Sequence, residues 1–174
     1  MKIIALGATS SRNSINKKLA SYAASLVEEA QVEVLDINDY EMPLFSEDRE
    51  KEIGQPEEAK NFLRKIEGAD GIVISFAEHN GSYTAAYKNL FDWASRIEQK
   101  VYQNKPALFL STSPGAGGAS SVLKSAEASA QFWGADLKGV FSVPSFYDNF
   151  DLEQGTLKNP KLQNELLNVI GGFK

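Results

Sequence analysis

The stretch that decides the fold is IIALGATSSRNSIN, residues 3–16. Four apolar residues, Ile3 to Leu6, end at Gly7, and hydroxyl and amide side chains follow before an amphipathic segment begins. A short strand that is apolar on both faces and leads directly into a helix is typical of a parallel sheet covered by helices on both sides. Ser14 is placed to cap this helix, because its hydroxyl can accept a hydrogen bond from a free backbone N–H of the first turn. The stretch therefore predicts an α/β fold.

The same strand–loop–helix unit recurs along the chain. Further short apolar runs lie at 32–35, 71–75, 107–110 and 137–143, and amphipathic segments with helical spacing lie at 15–30, 57–66, 83–97, 120–132 and 162–170. Five strands alternating with helices predict crossover connections and a parallel sheet. They suit a three-layer sandwich with strand order 2-1-3-4-5, as one domain over residues 1–174. Residues 37–55 and 144–159 form two long connections, and the stretch PLFSEDREKE in the first is interpreted as a solvated loop.

Composition narrows the chemistry that the chain can perform. It contains no cysteine, which excludes disulfides, thiolate catalysis, iron–sulfur clusters and cysteine zinc sites. Its single histidine, His79, excludes a multi-histidine site, so we expect no bound metal. A formal net charge of -5 argues against a general nucleic-acid binder, which needs a basic surface. Any redox chemistry would then be carried by a bound organic cofactor.

The cellular location is predicted from apolar run lengths. The first apolar run is shorter than the apolar core of a signal peptide. No stretch approaches the ~20 apolar residues that a membrane helix needs. We therefore expect a cytoplasmic protein that does not interact with a membrane.

Three loops are predicted to meet at one edge of the sheet, since they follow the first, third and fourth strands. The first, residues 7–16, combines hydroxyls, amides, Arg12 and a helix N-terminus, which suits a phosphate group. The second, residues 77–83, contains the turn signal Asn80-Gly81, whose exposed backbone groups can meet the polar edge of a flat heterocycle. The third, residues 111–120, carries glycines that let a backbone approach a ligand closely. Each loop also has a purely structural interpretation, as a capped turn, a solvated loop and a flexible connection respectively.

The three loops resemble the flavin-binding segments of the NADPH-dependent FMN reductase family, part of the flavodoxin-like superfamily. Ser14-x-Asn16, after a hydroxyl-rich turn, is similar to the family's FMN-phosphate loop. Residues 78–93, EHNGSYTAAYKNLFDW, are similar to the segment Pro-Glu-Tyr-Asn-x-Ser … Leu-Lys-Asn-x-Asp-Trp. Residues 113–118, SPGAGG, are similar to the third flavin loop. The chain differs where Ala77 and His79 replace a proline and a tyrosine, and where the usual arginine of the first loop stands one position later.

The resemblance implies a function and a set of contacts. It implies bound FMN, NAD(P)H as electron donor, and reduction of flavin, quinone or similar small acceptors by hydride transfer through FMN. No side chain is expected to act as nucleophile or general base, because the flavin carries the chemistry. Members of the family are commonly dimers or tetramers, so a homodimer or homotetramer is also implied. The implied cofactor-binding residues are Thr9, Ser11, Arg12, Ser14 and Asn16; Glu78, His79, Asn80, Gly81 and Ser82; and Ser113, Pro114, Gly115 and Gly118.

Two other functions fit the same topology. A flavodoxin-type electron carrier would bind FMN without turning over NAD(P)H, but carriers usually have a Thr/Ser-Gly-x-Thr pattern in the phosphate loop, which is missing here. A phospho-receiver domain needs paired acidic residues after the first strand to hold a magnesium ion. Residues 5–8 are ALGA, without a carboxylate. The reductase is therefore the preferred interpretation, and the carrier is the alternative.

Overall fold

The fold is built on a five-stranded sheet, seen in a computed structural model that describes residues 1–173. Counting the strands of this sheet alone, they are β1 (Lys2–Ala8), β2 (Gln31–Leu35), β3 (Gly71–Phe76), β4 (Lys105–Thr112) and β5 (Ala135–Val143). Their spatial order is β2-β1-β3-β4-β5, and every neighbouring pair is parallel. The predicted fold class and strand order are confirmed.

Helices cover both faces of the sheet. They are α1 (Ile15–Ser25), α2 (Glu47–Ile53), α3 (Glu57–Glu67), α4 (Ala85–Ser95), α5 (Ser120–Ser129) and α6 (Pro160–Gly171). Buried residues of α1 and α6 share one apolar cluster, and those of α3, α4 and α5 share the other. Successive residues of β1 alternate between the two clusters, so both faces of the strand are buried. This explains why the strands read as continuous apolar runs.

The interpretation of PLFSEDREKE, residues 43–52, as a solvated loop is wrong in part. Residues Ile37–Tyr40 form a short 3-10 helix, and Glu47–Ile53 form α2. Ser46 caps α2, accepting a hydrogen bond from the Arg49 amide at 3.0 Å. The acidic first turn of α2 adds a favourable interaction with the helix dipole. No residue of α2 is buried, so its sequence lacks the apolar periodicity that reveals other helices.

The second long connection, residues 144–159, contains short regular elements of its own. It contains a helical turn, Phe146–Asn149, and an antiparallel pair of two-residue strands, Phe150–Asp151 and Thr156–Leu157. The carboxylate of Asp151 accepts hydrogen bonds from the amides of Glu153 and Gln154, both at 2.9 Å, and so closes the hairpin. Local hydrogen bonding of this kind leaves no long periodic signal in a sequence.

Among the described residues, no helix combines the length and the apolar character needed to cross a membrane. The cytoplasmic location stays a prediction, and so does the assignment of the whole chain to one domain.

Candidate functional site

The strand register brings the three loops together. Ala8 at the end of β1 lies beside Phe76 at the end of β3, and Phe76 lies beside Ser111 near the end of β4. A cleft of about 270 Å³ opens beyond these strand ends. It is lined by Thr9, Ser11, Asn13, Ser14, Ile15, Asn16, Ala77, Glu78, His79, Thr112, Ser113, Pro114 and Tyr147. The prediction that the three loops meet at one edge of the sheet is confirmed.

The first loop presents the N-terminus of α1 to the cleft. Ser14 is the N-cap residue, and its hydroxyl accepts a hydrogen bond from the Lys17 amide at 3.1 Å. The remaining first-turn amides have no intrahelical acceptor, because no helical turn precedes them. Thr9 shapes the approach to this end, since its hydroxyl oxygen accepts a hydrogen bond from the Ser11 amide at 3.2 Å. The cleft therefore combines free amide donors with the positive end of a helix dipole, which favours an anion.

Of the two cations near this loop, one is paired with a carboxylate and, among the residues that the structure describes, the other is not. Lys17 forms an ion pair with Asp36 at 2.6 Å, and this contact lowers the pKa of the Asp36 carboxyl below its ordinary value. Arg12 makes no ion pair within residues 1–173. Its side chain does not line the cleft but a neighbouring groove, which shares Ser14 with the cleft.

Asn16 is buried and bonded on both sides of its amide group. Its oxygen accepts hydrogen bonds from the Ser75 hydroxyl at 2.7 Å and from the Thr112 amide at 3.1 Å. Its nitrogen donates to the Thr112 carbonyl at 3.2 Å. These bonds tie the start of α1 to the ends of β3 and β4. The structure thus gives Asn16 a structural task, and the phosphate contact implied by the resemblance stays a prediction.

The second loop is a tight hairpin. Glu78–His79 and Ser82–Tyr83 pair antiparallel around Asn80 and Gly81, whose φ angles are 53° and 77°. Positive φ at both central residues is what a type I′ turn requires, so the predicted turn is confirmed. Glu78 and His79 line the cleft, whereas Asn80, Gly81 and Ser82 at the tip do not.

Glu78 also connects the second loop to α5. Its carboxylate accepts a hydrogen bond from the Val122 amide, in the first turn of α5, at 2.7 Å. The N-cap residue of α5, Ala119, provides no side-chain hydrogen bond. Glu78 therefore caps α5 from outside, and the second loop and the helix after the third loop are held together.

In the third loop, Gly118 is required by the conformation of the loop itself. Gly118 has a φ of +57°, and a Cβ built there would lie 2.3 Å from the Ser142 hydroxyl oxygen. The Gly118 carbonyl accepts hydrogen bonds from Ser111 and Ser142 at 2.7 and 2.8 Å. Ser113 and Pro114 line the cleft, whereas Gly115 and Gly118 do not. Gly118 thus permits a close approach between the third loop and residues 142–144, and its contact with the cofactor stays a prediction.

Tyr147 lines the cleft and was missed by the sequence reasoning. Its side chain is 56% exposed, and its ring meets Phe146 edge-on at 5.5 Å. Phe146 in turn stacks on Phe150 at 4.7 Å. Tyr147 belongs to the connection after β5, whereas the predicted site residues all belong to the loops after the first, third and fourth strands. Asn13, Ile15, Ala77 and Thr112 also line the cleft beyond the predicted set.

Comparisons with known proteins give consistent matches. A family model described as NADPH-dependent FMN reductase matches residues 1–147. A 2-hydroxy-1,4-benzoquinone reductase of a Burkholderia species is 38% identical over 120 residues, which cover 68% of this chain and 63% of that protein. An NADPH:quinone oxidoreductase of Arabidopsis thaliana is 34% identical over 125 residues, 70% of this chain and 62% of that protein. The matches therefore span slightly less than two thirds of the length of these two relatives.

A solved structure shows the same fold. FerB, a flavoenzyme NAD(P)H:(acceptor) oxidoreductase from Paracoccus denitrificans, superposes with a TM-score of 0.76 at 24% identity. The superposition covers 99% of this chain and 94% of that one.

Proposed function

Because the chain belongs to the NADPH-dependent FMN reductase family, we propose that its cleft binds FMN and that the protein reduces flavin, quinone or similar small acceptors with NAD(P)H. The observation that carries this proposal is the meeting of three loops at the N-terminus of α1. Bound FMN would supply the redox chemistry, by taking up a hydride from the nicotinamide and passing it to the acceptor.

The residues of the first loop suit the phosphate of FMN. Free amides at the start of α1 would donate to phosphate oxygens, and the helix dipole would stabilise the negative charge. The Ser14 hydroxyl is 3.1 Å from the Lys17 amide and keeps the helix end fixed while those amides are available. Thr9 and Ser11 add hydroxyl groups at the same end of the cleft.

The residues of the second and third loops that line the cleft suit a flat ring. Glu78 and His79 approach from the second loop, and Ser113 and Pro114 approach from the third. The hydrogen bond from the Val122 amide to Glu78 fixes the spacing of these two walls. Tyr147 adds an exposed aromatic surface to the lining, on which a flat acceptor or the nicotinamide would pack.

The Ser14→Asp variant tests the phosphate site. Aspartate is as good an N-cap as serine, so α1 is expected to keep its cap and the protein its melting temperature. FMN affinity is expected to fall at least about tenfold, because two like charges about 4 Å apart in a partly buried site repel by more than ~1.4 kcal/mol. A fluorescence titration measures the affinity of the protein for FMN and for riboflavin, which lacks the phosphate.

The control is Ser46→Asp, which makes the same change at the N-cap of α2. It should leave FMN affinity unchanged. Unaltered FMN affinity in Ser14→Asp, or an equal loss for riboflavin, would contradict the phosphate assignment.

An assay on the FMN-loaded protein distinguishes a reductase from an electron carrier. A reductase oxidises NADPH steadily with a quinone present, and a carrier alone does not.

We also propose that the chain functions as a homodimer or homotetramer. The support is the family relationship together with two large apolar side chains, Leu44 and Phe132, that are 80% and 78% exposed in the single chain. Light scattering after size-exclusion chromatography measures the mass of the assembly, and a monomer would overturn this part of the proposal.

A further inference from the structure

A second groove lies beside the cleft, with a volume of about 480 Å³. One wall is the face of α1 that carries Lys18, Tyr22 and Ser25, and the other is the hairpin that carries Phe150 and Leu152. Ser14 lines both the groove and the cleft. The groove and the cleft therefore adjoin at Ser14, the N-cap residue of α1.

The groove is positively charged. Of its three cations, Lys17 is neutralised by Asp36 at 2.6 Å. Arg12 and Lys18 also line the groove, and neither makes an ion pair within the described part of the chain. The protein as a whole carries a net charge of -5, so two uncompensated cations in one groove form a local site for an anion.

The groove is also lined by hydroxyl groups that can form further hydrogen bonds. The Ser21 hydroxyl donates to the Lys17 carbonyl at 2.8 Å, and the Ser25 hydroxyl donates to the Tyr22 carbonyl at 2.7 Å. Each serine oxygen keeps lone pairs that can accept from a ligand. Tyr22 is 7% exposed, and its hydroxyl has no hydrogen-bond partner among residues 1–173. A buried hydroxyl without a partner is unfavourable, and because its oxygen is closed off from solvent, it could bond to a ligand only after this wall of the groove opens.

We propose that this groove binds the adenosine end of NADPH, with the 2′-phosphate held by Arg12 and Lys18. The inference rests on the proposed function, because the nicotinamide end would then lie in the FMN cleft. Ribose hydroxyls or the adenine amino group would donate to Ser21 and Ser25, and the purine would pack on Leu152, which is 52% exposed. The groove would thereby favour NADPH over NADH.

Lys18→Gln tests the phosphate contact by steady-state kinetics with each nucleotide. The KM for NADPH is expected to rise about tenfold, the effect of losing one charge-assisted hydrogen bond. The KM for NADH should stay within about twofold of wild type and kcat should be retained, because NADH lacks the 2′-phosphate. The control is Lys124→Gln, which removes an exposed charge from α5 on the opposite face of the sheet. An equal rise for both nucleotides, or no rise for NADPH, would overturn the assignment.

A binding measurement tests the groove without turnover. Calorimetry on the FMN-loaded protein uses adenosine 2′,5′-bisphosphate and adenosine 5′-monophosphate as probes. The bisphosphate should bind more tightly to wild type, Lys18→Gln should remove that advantage, and Leu152→Ser should weaken both probes. If wild type takes up FMN but does not distinguish the probes, the groove assignment fails and the proposed function stands. If wild type does not take up FMN, the proposed function itself fails.

Discussion

Replacing Asn16 by leucine, a side chain of similar size, tests how the site is held in place. The change removes the acceptor for the Ser75 hydroxyl and for the Thr112 amide, and the donor to the Thr112 carbonyl. Ser75 and Thr112 are 0% and 1% exposed, so water cannot replace the lost partner without opening the structure. The variant therefore leaves buried polar groups unpaired at the ends of two central strands.

The expected loss of stability follows from those groups. Each buried donor left without an acceptor costs about 1–3 kcal/mol. Two such donors give a loss of about 2–6 kcal/mol in the free energy of unfolding, part of which the leucine's own burial offsets. Against a total of about 5–15 kcal/mol for a domain, this is a large fraction. A loss of about 3 kcal/mol lowers Tm by about 6–12 °C in a protein of this size.

Urea unfolding and thermal melting measure the effect. The control is Asn13→Leu, an exposed position in the same loop, which should change stability by less than about 0.5 kcal/mol. Adding Ser75→Ala to Asn16→Leu removes one of the unpaired donors. The double variant should therefore lose about 1 kcal/mol less stability than the sum of the losses in the two single variants. Our reasoning is refuted if Asn16→Leu melts within about 2 °C of wild type.

Two further predictions concern backbone strain and pH. In urea unfolding, Gly118→Ala should destabilise the protein by about 1–3 kcal/mol more than Gly81→Ala. Both glycines have positive φ, but only the Gly118 Cβ would collide with Ser142. Equal losses of stability would contradict the close approach of Ser142 to Gly118. Asp36 has a pKa held below its ordinary 3.8, chiefly by Lys17, so its contribution is present above that value and is lost as pH falls through the lowered pKa. The stability difference between wild type and Asp36→Asn should therefore be constant above about pH 5 and shrink below about pH 4, and a difference independent of pH down to about pH 2 would refute it.

Much of the fold was readable from the sequence. The apolar runs of β1, β3 and β4 follow directly from burial on both faces, and this pattern predicted the parallel sheet. The strand order was predicted from the doubly wound arrangement that five alternating strands and helices suit. The Asn80-Gly81 turn was also predictable, because the positive φ of a two-residue hairpin restricts which residues can form it. By contrast, α2 was missed, since a helix with no buried residue has no apolar stripe to detect.

The candidate site was predictable at the level of loops but not of side chains. The sequence by itself determined that three loops follow adjacent strands and that one of them begins a helix, because local periodicity and turn chemistry fix strands, helices and turns. Only the tertiary structure decided that Asn16 is bonded to Thr112, 96 residues away, that Arg12 faces a second groove, and that Tyr147 reaches the cleft. The physical reason is that such contacts depend on how distant segments pack, and the local sequence pattern around a residue does not determine that packing.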